Sequence, residues 1–220
     1  MPRSARIAFA QGFYHVFNRG VNKEPIFLEE ADYHTFLKRL VALRTSLGYD
    51  HSIYTYILMP NHFHLLLQTR KTPLAKIMTS LATSYSMRFN KNHDRVGTLF
   101  QNRFKSKLCD TDSYFLVGSR YILTNSIHAG LATTLEDYPW SSYHELFGTS
   151  HYNIIDQKDI FRLIGSTVKS KEAYRQFLLD GIKLGDQESE YGFDREVAGS
   201  ALFSSLAQKK FMRRKKTIKS

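Results

Sequence analysis

Two runs rich in β-branched and aromatic residues, YDHSIYTYILM (49–59) and HFHLLLQ (62–68), are separated only by Pro60-Asn61. So short a connection leaves no length for a crossover, so the two runs are expected to pair as an antiparallel hairpin. That hairpin seeds the sheet around which the rest of the chain must assemble. Upstream, GFYHVFN (12–18) alternates aromatic or apolar residues with others and ends at Arg19-Gly20, a strand followed by a turn. Between these strands, residues 29–47 set Phe36, Leu37, Leu40, Val41 and Leu43 at helical spacing, with acids at the start and Gly48 beyond the end. Residues 73–91 predict a second helix with Pro73 in its first turn. TLFQNRFKSKL (98–108) reads as two short strands around Asn102-Arg103. A third helix is expected over 112–127, with Thr111 or Asp112 as N-cap and Gly130 past its end. This order implies an α+β fold: a ferredoxin-like antiparallel sheet with helices on one face.

Composition shifts near DYPWSSYHELFGTS (137–150). The reading therefore divides the chain into a main domain at 1–150, a helical extension at 151–208 with helices over 156–165, 170–184 and 195–211, and a basic tail at 209–220 expected to be disordered. The net charge of +11 follows the same division. Residues 1–150 carry 17 Lys and Arg against 11 Asp and Glu, residues 151–208 carry 7 against 9, and the last twelve residues carry 7 and no acid. A basic main domain and tail imply a polyanionic partner, nucleic acid first. The single cysteine, Cys109, permits no disulfide within the chain and fits a reducing compartment. The N-terminal stretch has no apolar signal core and no run reaches membrane-spanning length, so a cytoplasmic protein without membrane contact is expected.

Three groups of residues could carry chemistry. His62 and His64 share one face of their strand with Leu66 and Gln68, while Phe63, Leu65 and Leu67 share the other. Two imidazoles so placed can converge on one ion, Mn²⁺ or Zn²⁺ by ligand preference and Mg²⁺ if oxygen ligands complete the set. Tyr121 and Asn125 are one turn apart on the same face of the third helix, with Tyr114 and Gly118. Arg88, Lys91, Arg95, Arg103, Lys105 and Lys107, interleaved with Phe89, Phe100 and Phe104, have the composition of a nucleic-acid surface. Each group also has a bland alternative: a packed histidine pair, a packed tyrosine, a solvated basic hairpin.

Together these residues resemble the single-tyrosine HUH transposases of the IS200-like type, in particular the REP-associated tyrosine transposases. The segments that carry the resemblance are FYHVFNRGVNKEPIF (13–27), YILMPNHFHLLL (56–67), GTLFQNRFKS (97–106), DSYFLVGSRYILTNSIHAGL (112–131) and DYPWSSYHEL (137–146), in the family's order. After Asn125 the family commonly has Pro-Val where this chain has Ser126-Ile127. The resemblance implies that His62 and His64 are metal ligands with Asn125 completing the site, and that Tyr121 is the nucleophile. It further implies a divalent metal, Mg²⁺ or Mn²⁺, and hairpin-bearing single-stranded DNA as partner. The implied chemistry makes a 5′-phosphotyrosine intermediate and a free 3′-OH, and the implied enzyme works as a monomer. The alternative function is a domesticated hairpin-binding protein that no longer cuts.

Overall fold

The computed structural model describes residues 9–148, 152–184 and 197–198. Strand β1 (Phe13–Arg19) leads to helix α1 (Glu30–Thr45), the hairpin β2 (His51–Met59) and β3 (His62–Thr69), helix α2 (Leu74–Asn92) and strand β4 (Lys105–Cys109). Helix α3 (Thr111–His128) follows, then the short α4 (Tyr143–Phe147), α5 (Gln157–Ile164), α6 (Val168–Leu184) and a two-residue strand β5 (Val197–Ala198). The sheet order is β2-β3-β1-β4-β5. The first four strands are antiparallel neighbours, while β5 runs parallel to β4. The β-α-β-β-α-β unit is thus ferredoxin-like, as the hairpin required.

The helices do not all lie on one face, as the sequence reading had them. Helices α1 and α2 cover the face carrying Phe63, where Phe36 meets Phe63 and Tyr85 at 4.9 and 5.0 Å between ring centres. Helix α3 packs on the opposite face, against β2 and β3, and brings Phe115 to Tyr54. The physical reason is burial. All nine residues of β2 are buried, a state a one-layer cover cannot produce.

Three local expectations also change. Residues 98–104 do not form a strand; only Phe100 makes an isolated bridge, to Gly20, and Gln101 donates its backbone N–H to the Arg19 carbonyl. The cap of α3 is Asp110 rather than Thr111 or Asp112. Of the helix expected at 195–211, only residues 197–198 are described, and they form β5; the tail at 209–220 lies outside the described residues.

The segment after the main sheet packs onto it. The backbone around 140–142 pairs with β2, through Leu58 N to the Trp140 carbonyl at 2.8 Å and Ser142 N to the Tyr56 carbonyl at 3.0 Å. Farther along β2, the Asp156 carboxylate accepts the Ile53 N–H at 2.9 Å and pairs with Arg44 at 2.8 Å. These contacts satisfy an edge strand that would otherwise be open. Helix α6 buttresses α3, with the Tyr174 hydroxyl donating to Ser119 Oγ at 2.8 Å. Among the described residues no helix is long and apolar enough to cross a membrane.

Candidate active site

Register decides which side chains meet. Pairing of β1 with β3 sets Phe17 opposite His64 and Arg19 opposite His62, and pairing of β1 with β4 sets Phe17 opposite Lys105. Because side chains alternate, His15, Phe17, Arg19, His62, His64, Lys105 and Lys107 all project from one face, the one that α3 covers. Helix α3 lays Tyr121 and Asn125 against that face. A cavity of about 420 Å³ opens between them, lined by Phe17, Asn18, Arg19, His62, His64, Gln101, Asn102, Arg103, Lys105, Tyr121 and Asn125.

The histidine rings of this cavity are held from behind. The Asn61 amide nitrogen donates to the Lys23 carbonyl at 3.0 Å, which turns its amide oxygen toward His62 Nδ1, 2.6 Å away. His64 Nδ1 lies 2.8 Å from His15 Nε2. In each ring Nδ1 is thereby engaged, and Nε2 is the nitrogen on the ligand side, in His62 next to its hydrogen-bond partner Asn125. The two rings stand edge to face, 5.2 Å between centres. Burial pushes His62 down to about 4, with Arg19 adding to the effect and a hydrogen bond with Asn125 partly offsetting it. Burial also holds His64 well below the ordinary range, reinforced by His15, His62 and Arg19. Both are therefore neutral near pH 7, the form that binds metals. Two neutral imidazoles with an amide beside them fit a divalent cation.

The Tyr121 ring packs 5.8 Å from His64 and 6.1 Å from His15 and is 7% exposed. Two of the expected cations, Arg103 and Lys105, line the cavity, and the Lys105 ammonium sits 5.8 Å over the Phe17 ring. The others do not. Arg88 and Lys91 are exposed on α2, in the layer on the other side of the sheet. Arg95 is tied to Glu24 and to the Thr98 carbonyl. Lys107 is 2% exposed, within electrostatic reach of His15. The cavity also uses Asn18, Arg19, Gln101 and Asn102, which the sequence reading did not single out. For Arg19 the alternation of His15, Phe17 and Arg19 along β1 was the local signal, but the partner strand was not legible; Asn18, Gln101 and Asn102 had no such signal.

Among the described residues, Glu29, Asp32 and His93 place their ligand atoms within 4.8 Å of one another, a spacing that a metal could use. Their hydrogen bonds show a structural role. Asp32 accepts the Leu28 and Glu29 backbone N–H groups at the start of α1 and pairs with His93 at 3.0 Å, joining the start of α1 to the end of α2.

The family model for IS200-like transposases matches residues 9–125, more than half of the chain and nearly all of the cavity's framework. The chain belongs to the IS200-like transposase family. This transposase resembles a solved REP-associated tyrosine transposase bound to a REP hairpin. The TM-score is 0.55 at 15% identity, covering 66% of this chain and 84% of that one. A putative transposase from Deinococcus radiodurans aligns with a TM-score of 0.34 at 17% identity, over 48% of this chain and 82% of that one. No curated protein matches.

Proposed function

We propose that this transposase cuts and rejoins single-stranded DNA beside a hairpin, with Tyr121 as nucleophile and with His62, His64 and Asn125 holding a divalent metal, Mg²⁺ or Mn²⁺. The observation that carries the reading is the convergence of these four side chains, from one strand and one helix, on a single cation-lined cavity. Family membership supports the transposase activity. The hairpin is suggested by the partner of the REP-associated neighbour.

The chemistry follows from the residues. Tyr121 Oη attacks a phosphorus atom, loses its phenolic proton and forms a P–O bond. The bond to the departing 3′ oxygen breaks, and that oxygen takes up a proton. The products are a 5′-phosphotyrosine and a free 3′-OH, and the phosphate ester stores the cut bond, so rejoining needs no nucleotide cofactor. When bound, a divalent cation neutralises charge on the scissile phosphate. Arg103 and Lys105 neutralise the flanking phosphates. The 1–150 segment supplies the site, helix α6 of the 151–208 extension braces α3, and the enzyme acts as a monomer.

The test is cleavage of an end-labelled, hairpin-bearing oligonucleotide. Cutting is expected in Mg²⁺ or Mn²⁺, absent in EDTA, and lost in His62→Ala and His64→Ala. Unchanged cutting in EDTA would overturn the metal assignment.

A further inference from the structure

We propose that His15 is a positioning residue: its ring holds His64 in the Nδ1–H tautomer and so presents the bare Nε2 of His64 to the cation. The inference rests on the reading of His64 as a metal ligand. His15 is fully buried on β1, with Nε2 2.8 Å from His64 Nδ1 and Nδ1 3.1 Å from the Tyr114 hydroxyl. Two ring nitrogens 2.8 Å apart share one proton, and which ring owns it decides which nitrogen His64 shows the cavity.

Ligation requires a bare Nε2 on His64, and a chain of hydrogen bonds behind it can accommodate the proton on Nδ1. It ends on the Lys107 backbone carbonyl, which can only accept. The Cys109 thiol donates to that carbonyl at 3.4 Å. With its proton committed there, the sulfur is an available acceptor for the neighbouring Tyr114 hydroxyl. The phenol oxygen then accepts from His15 Nδ1–H. His15 Nε2 is left without a proton and accepts from His64 Nδ1–H, and His64 Nε2 keeps its lone pair. The reversed order, with Tyr114 donating to His15 Nδ1, would leave the thiol bond in place but put a proton on His64 Nε2, the nitrogen that must be bare to bind a cation. Gly118 permits the arrangement, because a β-carbon there would sit 2.4 Å from the Tyr114 ring. Partners of this kind typically change metal affinity about 10- to 100-fold when removed.

The test has two parts on the full chain. Long-range ¹H–¹⁵N NMR of the metal-free wild type is expected to show His64 protonated on Nδ1; protonation on Nε2 overturns the proposal. Calorimetric titration with Mn²⁺ then compares two variants. His15→Phe keeps the ring volume but removes the acceptor, and is expected to weaken binding about 10- to 100-fold. His15→Gln, whose amide oxygen can accept from His64, is expected to restore most of it. A packing role predicts the opposite order, and wild-type affinity in His15→Phe overturns the proposal. Should His15→Phe fail to fold, Tyr114→Phe breaks the chain one link away. The proton of His64 is then expected to divide between its nitrogens, and an unchanged tautomer refutes the chain. His64→Ala separates the two levels of inference. If it binds Mn²⁺ as the wild type does, the metal reading fails, while the wild-type tautomer still decides the role of His15.

Discussion

Gly118→Ala should destabilise this protein, although glycine-to-alanine changes inside helices ordinarily help. In an unobstructed helix interior the substitution is worth about 1 kcal/mol of stability. Here the added β-carbon would lie 2.4 Å from one Tyr114 ring carbon and 2.8 Å from the next. Restoring an ordinary carbon–carbon separation of about 3.5 Å requires the ring to move by roughly 1 Å. Tyr114 is 4% exposed and its hydroxyl is engaged with His15, so the ring has nowhere to go without cost. Overpacking of this kind costs about 1–3 kcal/mol, and loss of the buried hydrogen bond adds about 1 kcal/mol. The net expectation is a loss of about 1–3 kcal/mol, read as a lower urea midpoint at unchanged slope. A variant as stable as the wild type, or more so, would refute the claim that the Tyr114 ring is pinned over Gly118.

Acidification should unfold the protein well before its carboxylates are fully titrated. Burial lowers His51 to about 4 and His15 to about 3, so as pH falls below 6.5 the unfolded chain takes up protons that the folded chain refuses. Stability is complete above that range and declines toward pH 4, by on the order of 3 kcal/mol for His51 alone; urea midpoints at pH 7 and 4.5 would measure it, and His51→Leu should flatten the slope. Arg103→Ala and Lys105→Ala should each weaken hairpin binding and reduce the salt slope by about 1. Arg88→Ala and Lys91→Ala should leave both nearly unchanged, because they stand behind the sheet; fluorescence anisotropy over a salt series distinguishes these outcomes.

Much of this architecture was legible because local pattern and topology agree. Pro60-Asn61 forced the hairpin, and Phe36, Leu37, Leu40 and Leu43 gave α1 its buried stripe, with Val41 at its margin. The placement of α3 was not recovered, yet its signal was present. HSIYTYILM is nearly continuous in apolar and aromatic residues, the pattern of a strand covered on both faces. Residues 98–104 misled because alternating aromatics and polar groups mimic a strand, whereas the chain there curves past Arg19 to form a cavity wall. His62, His64, Tyr121 and Asn125 could be named from spacing and resemblance. His15 could not, since its role depends on the register of β1 against β3, a long-range property that no local window contains.

The central claim is that Tyr121 forms the covalent bond to DNA. Its most direct measurement is denaturing electrophoresis of protein incubated with a hairpin-bearing single strand and Mn²⁺, followed by peptide mapping of the adduct. The account predicts a 5′-phosphate linked to Tyr121, and no adduct in a Tyr121→Phe variant that still binds the hairpin. An adduct that persists in that variant, or maps to Tyr114, would contradict it.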